Sequence, residues 1–202
     1  MWALVEDNTI QEIIRNPKPL SIGNTQYAAN IFSLWETTEL QSIGLYPVEI
    51  DESNLKDSVY YTNGDISYSI VSGQLKVKGE YPTAVAKPID NILWADGDEI
   101  PAGLAIGDIK QEGLRNRFKN QVNGEASSIL QDTDWMVIRE TEGGTSMPSA
   151  TKTWRAAVRT KANAMTTAID NASDIDELAA LYEYNSDDPP VRPLGEFPVL
   201  GG

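Results

Sequence analysis

The sequence predicts an α+β fold in two consecutive parts, a β-rich N-terminal domain (hairpins or a meander plus one short helix) over residues 1–87 and a helical-hairpin C-terminal domain over residues 109–182. A linker, residues 88–108, joins them, and an extended Pro/Gly tail occupies residues 183–202. Two observations carry this division. In the first ninety residues, short apolar stretches are separated by the turn-forming dipeptides Asp7-Asn8, Gly23-Asn24, Asn63-Gly64 and Ser72-Gly73, the punctuation of hairpins. Beyond residue 109 the apolar residues recur three and four apart, the repeat of an amphipathic helix.

The opening stretch WALVEDNTIQEII alternates on both sides of Asp7-Asn8 and reads as a hairpin. Pro17 and Pro19 lack backbone donors and end it. SIGNTQYAANIF reads as a second hairpin around Gly23-Asn24. A short helix comes next: Thr38 and Gln41 have capping-box spacing, Leu40 and Ile43 give an apolar side, and Gly44 stands at its end. In SVYYTNGDISYSIVSGQLKVKG, Asn63-Gly64 suits a type I′ turn and Ser72-Gly73 a second turn, which predicts a three-stranded meander. Ile66, Tyr68 and Ile70 fall on one face, and Leu75 and Val77 on one face of the next strand.

KPIDNILWADGDEIPAGLAIGD, from Lys87 to Asp108, shows no sustained period and reads as the connection. A helix then carries Leu114, Phe118, Val122, Ala126, Ile129 and Leu130, although Gly113 and Gly124 each cost about 1 kcal/mol against alanine in a helix interior. Its partner carries Trp154, Val158, Ala162, Met165 and Ile169, with GGTSMPSA as the preceding loop and Ser149 as cap. Ser173 caps a shorter third helix whose first turn holds Asp174, Asp176 and Glu177, where the helix dipole favours acids; Leu178, Leu181 and Tyr182 are its apolar residues. The tail, with four prolines and three glycines, cannot form a core element and is expected to lie against its own domain or a neighbouring chain.

Composition narrows the chemistry. Cysteine and histidine are both absent, which removes disulfides, thiolate and histidine metal sites, and Ser-His and Cys-His triads. No cofactor and no metal are expected, and an enzyme is not expected. No apolar run approaches the ~18 to 20 residues of a membrane span, and Glu6 and Asp7 stand where a signal peptide needs a basic start and an apolar stretch. A net charge of −14 argues against nucleic acid as a partner. The charge is uneven: nine of the sixteen basic residues lie between Lys110 and Lys161 against six acids. This segment reads either as ordinary solvated helix faces or as a basic surface that docks an acidic partner or the chain's own acidic half.

Several constellations are candidates for function. Asp132 and Asp134 beside Trp135 offer the paired carboxylates of a hydrolase, but acids two apart at a helix end more commonly serve turns and caps. ADGDE, around Asp96 to Glu99, is oxygen-rich but lacks the further ligands of a calcium loop. Tyr60, Tyr61, Tyr68 and Tyr81 with Trp94 could form an aromatic sugar-binding platform, or act as ordinary strand formers. GGTS is not followed by the lysine of a phosphate-binding loop.

ILQDTDWMVIRETEGGTSMPSATKTWRAAVRT is similar to the C-terminal region of bacteriophage tail-fibre assembly and tail assembly chaperone proteins. Trp135 matches the family tryptophan, Asp134 its preceding acid, Pro148 its loop proline, and Arg155 and Arg159 its two arginines. Trp154 stands where the family usually has tyrosine and Val158 where it has leucine. The second family tryptophan would fall at Thr151, and the loop here is Gly-rich. The N-terminal section through LW and IGLYPV also resembles the opening of small phage tail-region proteins, so the matched parts cover roughly half the chain.

The resemblance implies a non-enzymatic tail component, located in the virion tail after synthesis in the host cytoplasm. It would bind tail or tail-fibre subunits within a hetero-oligomeric assembly, with no nucleic acid and no membrane as partner, and would stay in the virion. The alternatives are a receptor- or carbohydrate-binding module at the tail tip, or a transient tail-fibre assembly chaperone. Read from the residues, Asp132, Asp134, Trp135, Trp154, Arg155, Val158 and Arg159 form a structural clasp or partner-binding site. In it the Trp135 ring is buried against Trp154 and Val158, and Arg155 or Arg159 pairs with Asp132 or Asp134. A buried Trp135 would make Trp135→Ala cost ~3 to 5 kcal/mol.

Overall fold

In the computed structural model, which describes residues 1–201, the chain is α+β and divides into two compact units, Met1–Val85 and Ala86–Gly202. The division falls two residues before the end expected for the N-terminal domain. The stretch expected as a linker belongs to the second unit, for a reason that lies in its backbone bonds.

The first unit opens with the expected hairpin, β1 (Trp2–Glu6) and β2 (Thr9–Ile14). Asp7 and Asn8 both adopt positive φ, 47° and 58°, as a two-residue primed turn requires. The second expected hairpin also forms, β3 (Leu20–Ile22) with β4 (Thr25–Tyr27). A single turn, α1 (Ile31–Leu34), precedes the expected helix α2 (Thr37–Ser42). The cap of α2 differs from expectation: the capping box joins Glu36 and Glu39, with Glu36 N–H donating to Glu39 Oε2 at 2.8 Å. Glu36 is the residue in extended geometry, so it stands where a cap must, two residues before Thr38.

The three-stranded meander does not form. β7 (Ser67–Ile70) and β8 (Val77–Glu80) make the hairpin around Ser72-Gly73, but β6 (Tyr61–Thr62) stands outside their sheet. Asn63, expected in a turn, uses both ends of its amide on Lys56, accepting from the backbone N–H at 3.0 Å and donating to the carbonyl at 2.7 Å. Gly64 lies under the Pro82 ring, which sits 2.6 Å from where a Cβ would be. The third partner comes instead from far back in the chain: β5 (Leu45–Asp51) pairs parallel to β8, with Val48 opposite Val77. The resulting sheet runs β2-β1-β5-β8-β7. It curls so that its edge strands β2 and β7 approach each other.

Period-two alternation gives this sheet two apolar faces. Leu4, Ile14 and Leu45 pack with Leu20, Ile31 and Leu40 beneath the small helices, while Ala3, Val5 and Val77 pack on the other face with Tyr46, Val48, Tyr68 and Ile70. β1 supplies both sets from neighbouring positions. Its antiparallel pairing to β5 is entered through Gly44, whose carbonyl accepts from Val5 N–H at 2.8 Å.

β9 (Val85–Ala86) spans the division. In the second unit β10 (Ile92–Leu93) and β11 (Ile109–Gln111) pair antiparallel, so the expected linker is a hairpin arm. Its base is bonded to the first helix, α3 (Leu114–Gln131): the carbonyls of Pro88 and Ile89 accept from Leu114 and Arg115 N–H at 3.0 and 2.9 Å, and Asn91 Oδ1 accepts from Gly113 N–H at 2.8 Å. These bonds satisfy donors that a helix start leaves open. Helix α5 (Ser149–Asn171) packs antiparallel on α3, with Lys119 on Asp170 at one end of the pair and Arg155 on Leu130 at the other. Helix α4 (Asp134–Thr141) lies between them in sequence, and α6 (Ile175–Ala180) comes after α5. Asp174, not Ser173, caps α6 by accepting from Glu177 N–H at 2.8 Å.

The tail lies against its own unit. Leu194 is 3% exposed and its N–H donates to the Leu181 carbonyl, Lys161 Nζ donates to the Leu194 carbonyl at 2.8 Å, and Trp154 Nε1 donates to the Pro198 carbonyl at 2.8 Å. No helix among the described residues is long and apolar enough to cross a membrane.

Gly44 carries a sharp test. Its φ is +85° and a Cβ would lie 2.6 Å from the Val5 carbonyl oxygen, whereas Gly73, at φ +71°, has open space. Gly73→Ala is expected to cost about 1 kcal/mol and Gly44→Ala clearly more, because backbone overlap is added to the dihedral strain. Urea unfolding followed by circular dichroism reads both, and equal losses would contradict the packing of β1 against the α2–β5 turn.

The acid limb carries a second. The Asp51 carboxyl is held down at about 2 by hydrogen bonds from the Ser53 side chain and backbone and by Lys78, 3.1 Å away. A depressed carboxyl adds stability above its unfolded value, near 4, and loses it as pH falls through the folded one. Asp51→Asn should therefore flatten the fall in melting temperature between about pH 4 and pH 2 relative to the unaltered chain, measured by calorimetry.

Candidate functional site

The region expected to form a clasp is centred on Arg155. Helix α3 ends at Gln131 with Asp132 as its cap, and Thr133 is the N-terminal cap position of α4. Thr133 folds back: its N–H and its hydroxyl both donate to the Leu130 carbonyl, at 3.1 and 3.0 Å. The buried stripe of α5 runs through Thr151, Arg155, Val158, Ala162, Met165 and Ile169, at helical spacing. That stripe carries the Arg155 guanidinium into the α3–α4 joint, where the residue is only 5% exposed.

Burying a cation is costly unless its donors are matched. Arg155 Nη1 donates to the Leu130 carbonyl at 2.8 Å and to the Thr133 hydroxyl, and Nη2 donates to Asp134 Oδ1 at 2.6 Å. Asp134 itself is 54% exposed. The pair is therefore lopsided, a buried guanidinium held by one wet carboxylate and two neutral oxygens. The arrangement sets the direction of α4.

The expected site residues divide accordingly. Asp134 and Arg155 form the pair. Val158 is fully buried in the α3–α5 interface. Trp154 is half-buried and belongs to the tail contact through its bond to Pro198. Asp132 is exposed at the end of α3, so the two carboxylates play different parts. Arg159 is exposed and has no hydrogen-bond or ion-pair partner among the described residues.

The burial expected for Trp135 is overturned: its ring is 53% exposed, with the Arg139 guanidinium 4.7 Å from its centre. The cause is the helix. Because α4 begins at Asp134 and that side chain turns inward to Arg155, the next residue is rotated about 100° around the axis and faces out. Val137 and Ile138 are exposed as well, at 40% and 58%, and α4 has no buried residue.

Sequence reasoning missed Thr133 and the existence of α4. The signals were an acid in a first turn, Asp134, and a base in a last turn, Arg139. It also missed the groove beside the pair, a concavity of about 260 Å³ lined by Val137, Glu140, Met147, Lys152, Arg155 and Arg159. Lys152 Nζ donates to Glu140 Oε1 at 2.6 Å; this bond, the Met147 N–H and the Lys152 and Arg139 charges hold the Glu140 carboxyl below its usual value.

Elsewhere, the ADGDE turn is closed internally. Asp98 accepts from Lys110 Nζ at 2.6 Å and from Ala95 N–H at 2.9 Å, and both bonds hold its carboxyl below the usual carboxylate range. Among the described residues no three of the acidic, histidine or cysteine side chains are grouped to hold a metal ion. Of the strand tyrosines, Tyr60 is buried and Tyr68 packs in the curled face of the sheet.

The lopsided pair predicts an order of mutational costs. Asp134→Ala leaves a buried guanidinium with neutral acceptors and should cost roughly 1.5 to 3 kcal/mol. Trp135→Ala removes an exposed ring and a cation–π contact, and should cost about 1 kcal/mol or less. Chemical denaturation of the two variants decides the point, since a larger loss at Trp135 would return its ring to the core. Comparison of the chain with models of protein families, with curated proteins and with solved structures finds no significant match.

Proposed function

We propose that this chain is a non-enzymatic bacteriophage tail protein that binds tail or tail-fibre subunits and remains in the virion as part of a hetero-oligomeric assembly. The observation that supports this reading is the outward set of α4. Of the residues that carry the resemblance, Asp134 and Arg155 pair with each other, while Trp135 faces solvent together with Val137 and Ile138. A helix held rigidly by its base with apolar side chains outward is the form of a protein-docking element. Tight burial of Leu194 and the bond from Trp154 to Pro198 give the tail a fixed course along α5, consistent with a component that stays in place.

Quantitative mass spectrometry of purified mature virions tests the proposal. A fixed ratio to the tail proteins is the expected outcome. Absence from virions, with recovery from infected-cell lysate on the fibre protein, would make the chain a transient assembly chaperone. Absence from both would overturn the reading. Ile138→Glu, at an exposed position, should reduce incorporation by roughly tenfold or more, the loss of about 1.4 kcal/mol of docking energy, while leaving the melting temperature unchanged.

A further inference from the structure

The hairpin arm β10–β11 is an exposed apolar element of the second unit. Every residue from 101 to 112 is exposed, and Ile92, Leu93, Leu104, Ile106 and Ile109 are between 44% and 64% exposed. Two-stranded hairpins are marginal alone, and five aliphatic side chains on one of them form a surface that seeks cover. The arm nevertheless has a defined shape. Trp94 N–H donates to the Asp108 carbonyl and Gly107 N–H to the Trp94 carbonyl, both at 2.9 Å, and Lys110 lies 4.8 Å from the Trp94 ring centre.

Its charge specifies what covers it. Between Asp90 and Glu112 there are six acids and one lysine. Asp96 and Glu99 are exposed and have no partner among the described residues. A complementary surface must be apolar and cationic, and the same unit presents one. The groove between α4 and α5 has Val137 and Met147 as its apolar wall and three cations, Lys152, Arg155 and Arg159, against one acid, Glu140. Arg155 and Lys152 have carboxylate partners, which leaves the Arg159 charge uncompensated at the exposed edge. The arm and the outer lining of the groove, Val137, Lys152 and Arg159, are exposed on the same copy, so neither is the other's cover within the chain.

We propose that the arm of one copy docks in the α4–α5 groove of a second copy, its aliphatic side chains against Val137 and its free carboxylates on Arg159. Such a contact joins two different surfaces, so it repeats from copy to copy and builds rings or chains rather than stopping at a pair. It stands apart from the tail reading, because it is measured on the purified chain alone.

Sedimentation velocity over a concentration series tests it. The full chain is expected to form species beyond a dimer, weakened by salt. Ile106→Glu and Arg159→Glu, both at exposed positions and checked by circular dichroism for an intact fold, are each expected to weaken association at least about tenfold. An equimolar mixture of the two variants should recover a one-to-one dimer and nothing larger, since each retains the surface the other lacks. A monomeric unaltered chain overturns the proposal. So does a dimer that survives Arg159→Glu, which would place arm against arm, or a mixture that stays monomeric. A chain that never self-associates but is found in virions would sink this inference and leave the tail reading standing.

Discussion

The second unit depends on the burial of one cation. Arg155 sits on the buried stripe of α5, where an aliphatic residue would ordinarily stand, and it is tolerated because three oxygens from the α3–α4 joint meet its donors. Those bonds are directional, unlike the apolar contacts of Val158 and Ala162 around them. They hold the end of α3, the turn at Thr133 and the start of α4 to one point on α5, and so determine which side of α4 faces in. A methionine of similar length would fill the space without setting that orientation.

The same constraint creates a surface. With Asp134 turned to Arg155, Trp135 is rotated out to solvent, and the groove beside Val137 takes its walls from the α5 cations and Met147. The tail contributes on α5 as well, through Leu194, Lys161 and Trp154. The acidic composition of the whole chain conceals this arrangement, since the basic residues are concentrated between Lys110 and Lys161. Arg159, one of those without a carboxylate partner among the described residues, belongs to the surface, while Arg155, one helical turn before it, belongs to the core.

In the first unit the corresponding constraint is the two-faced strand β1. Its alternate residues enter separate apolar clusters, so a slip of one residue would exchange Leu4 with Ala3 and Val5 and empty both. Pairing with β5 on one side and β2 on the other holds it in register.

Much of this was legible in the residues themselves. Local signals determined the hairpins at Asp7-Asn8 and Gly23-Asn24, the long helices α3 and α5 and the short helices α2 and α6, because turn dihedrals and helical periodicity act over a few residues. They also placed Asp132 or Asp134 with Arg155 or Arg159, and the structure selected Asp134 with Arg155. The tertiary structure alone decided the parallel partnership of β5 with β8, since pairing between strands so far apart leaves no local trace and Asn63 found a better use on Lys56. It likewise decided that the residues after Lys87 form an arm and that Trp135 faces solvent. The sequence determined that a tryptophan stands directly after an acid at a helix start; which of the two turns inward depended on a buried guanidinium 21 residues beyond that acid, whose charge could be satisfied only by the acid.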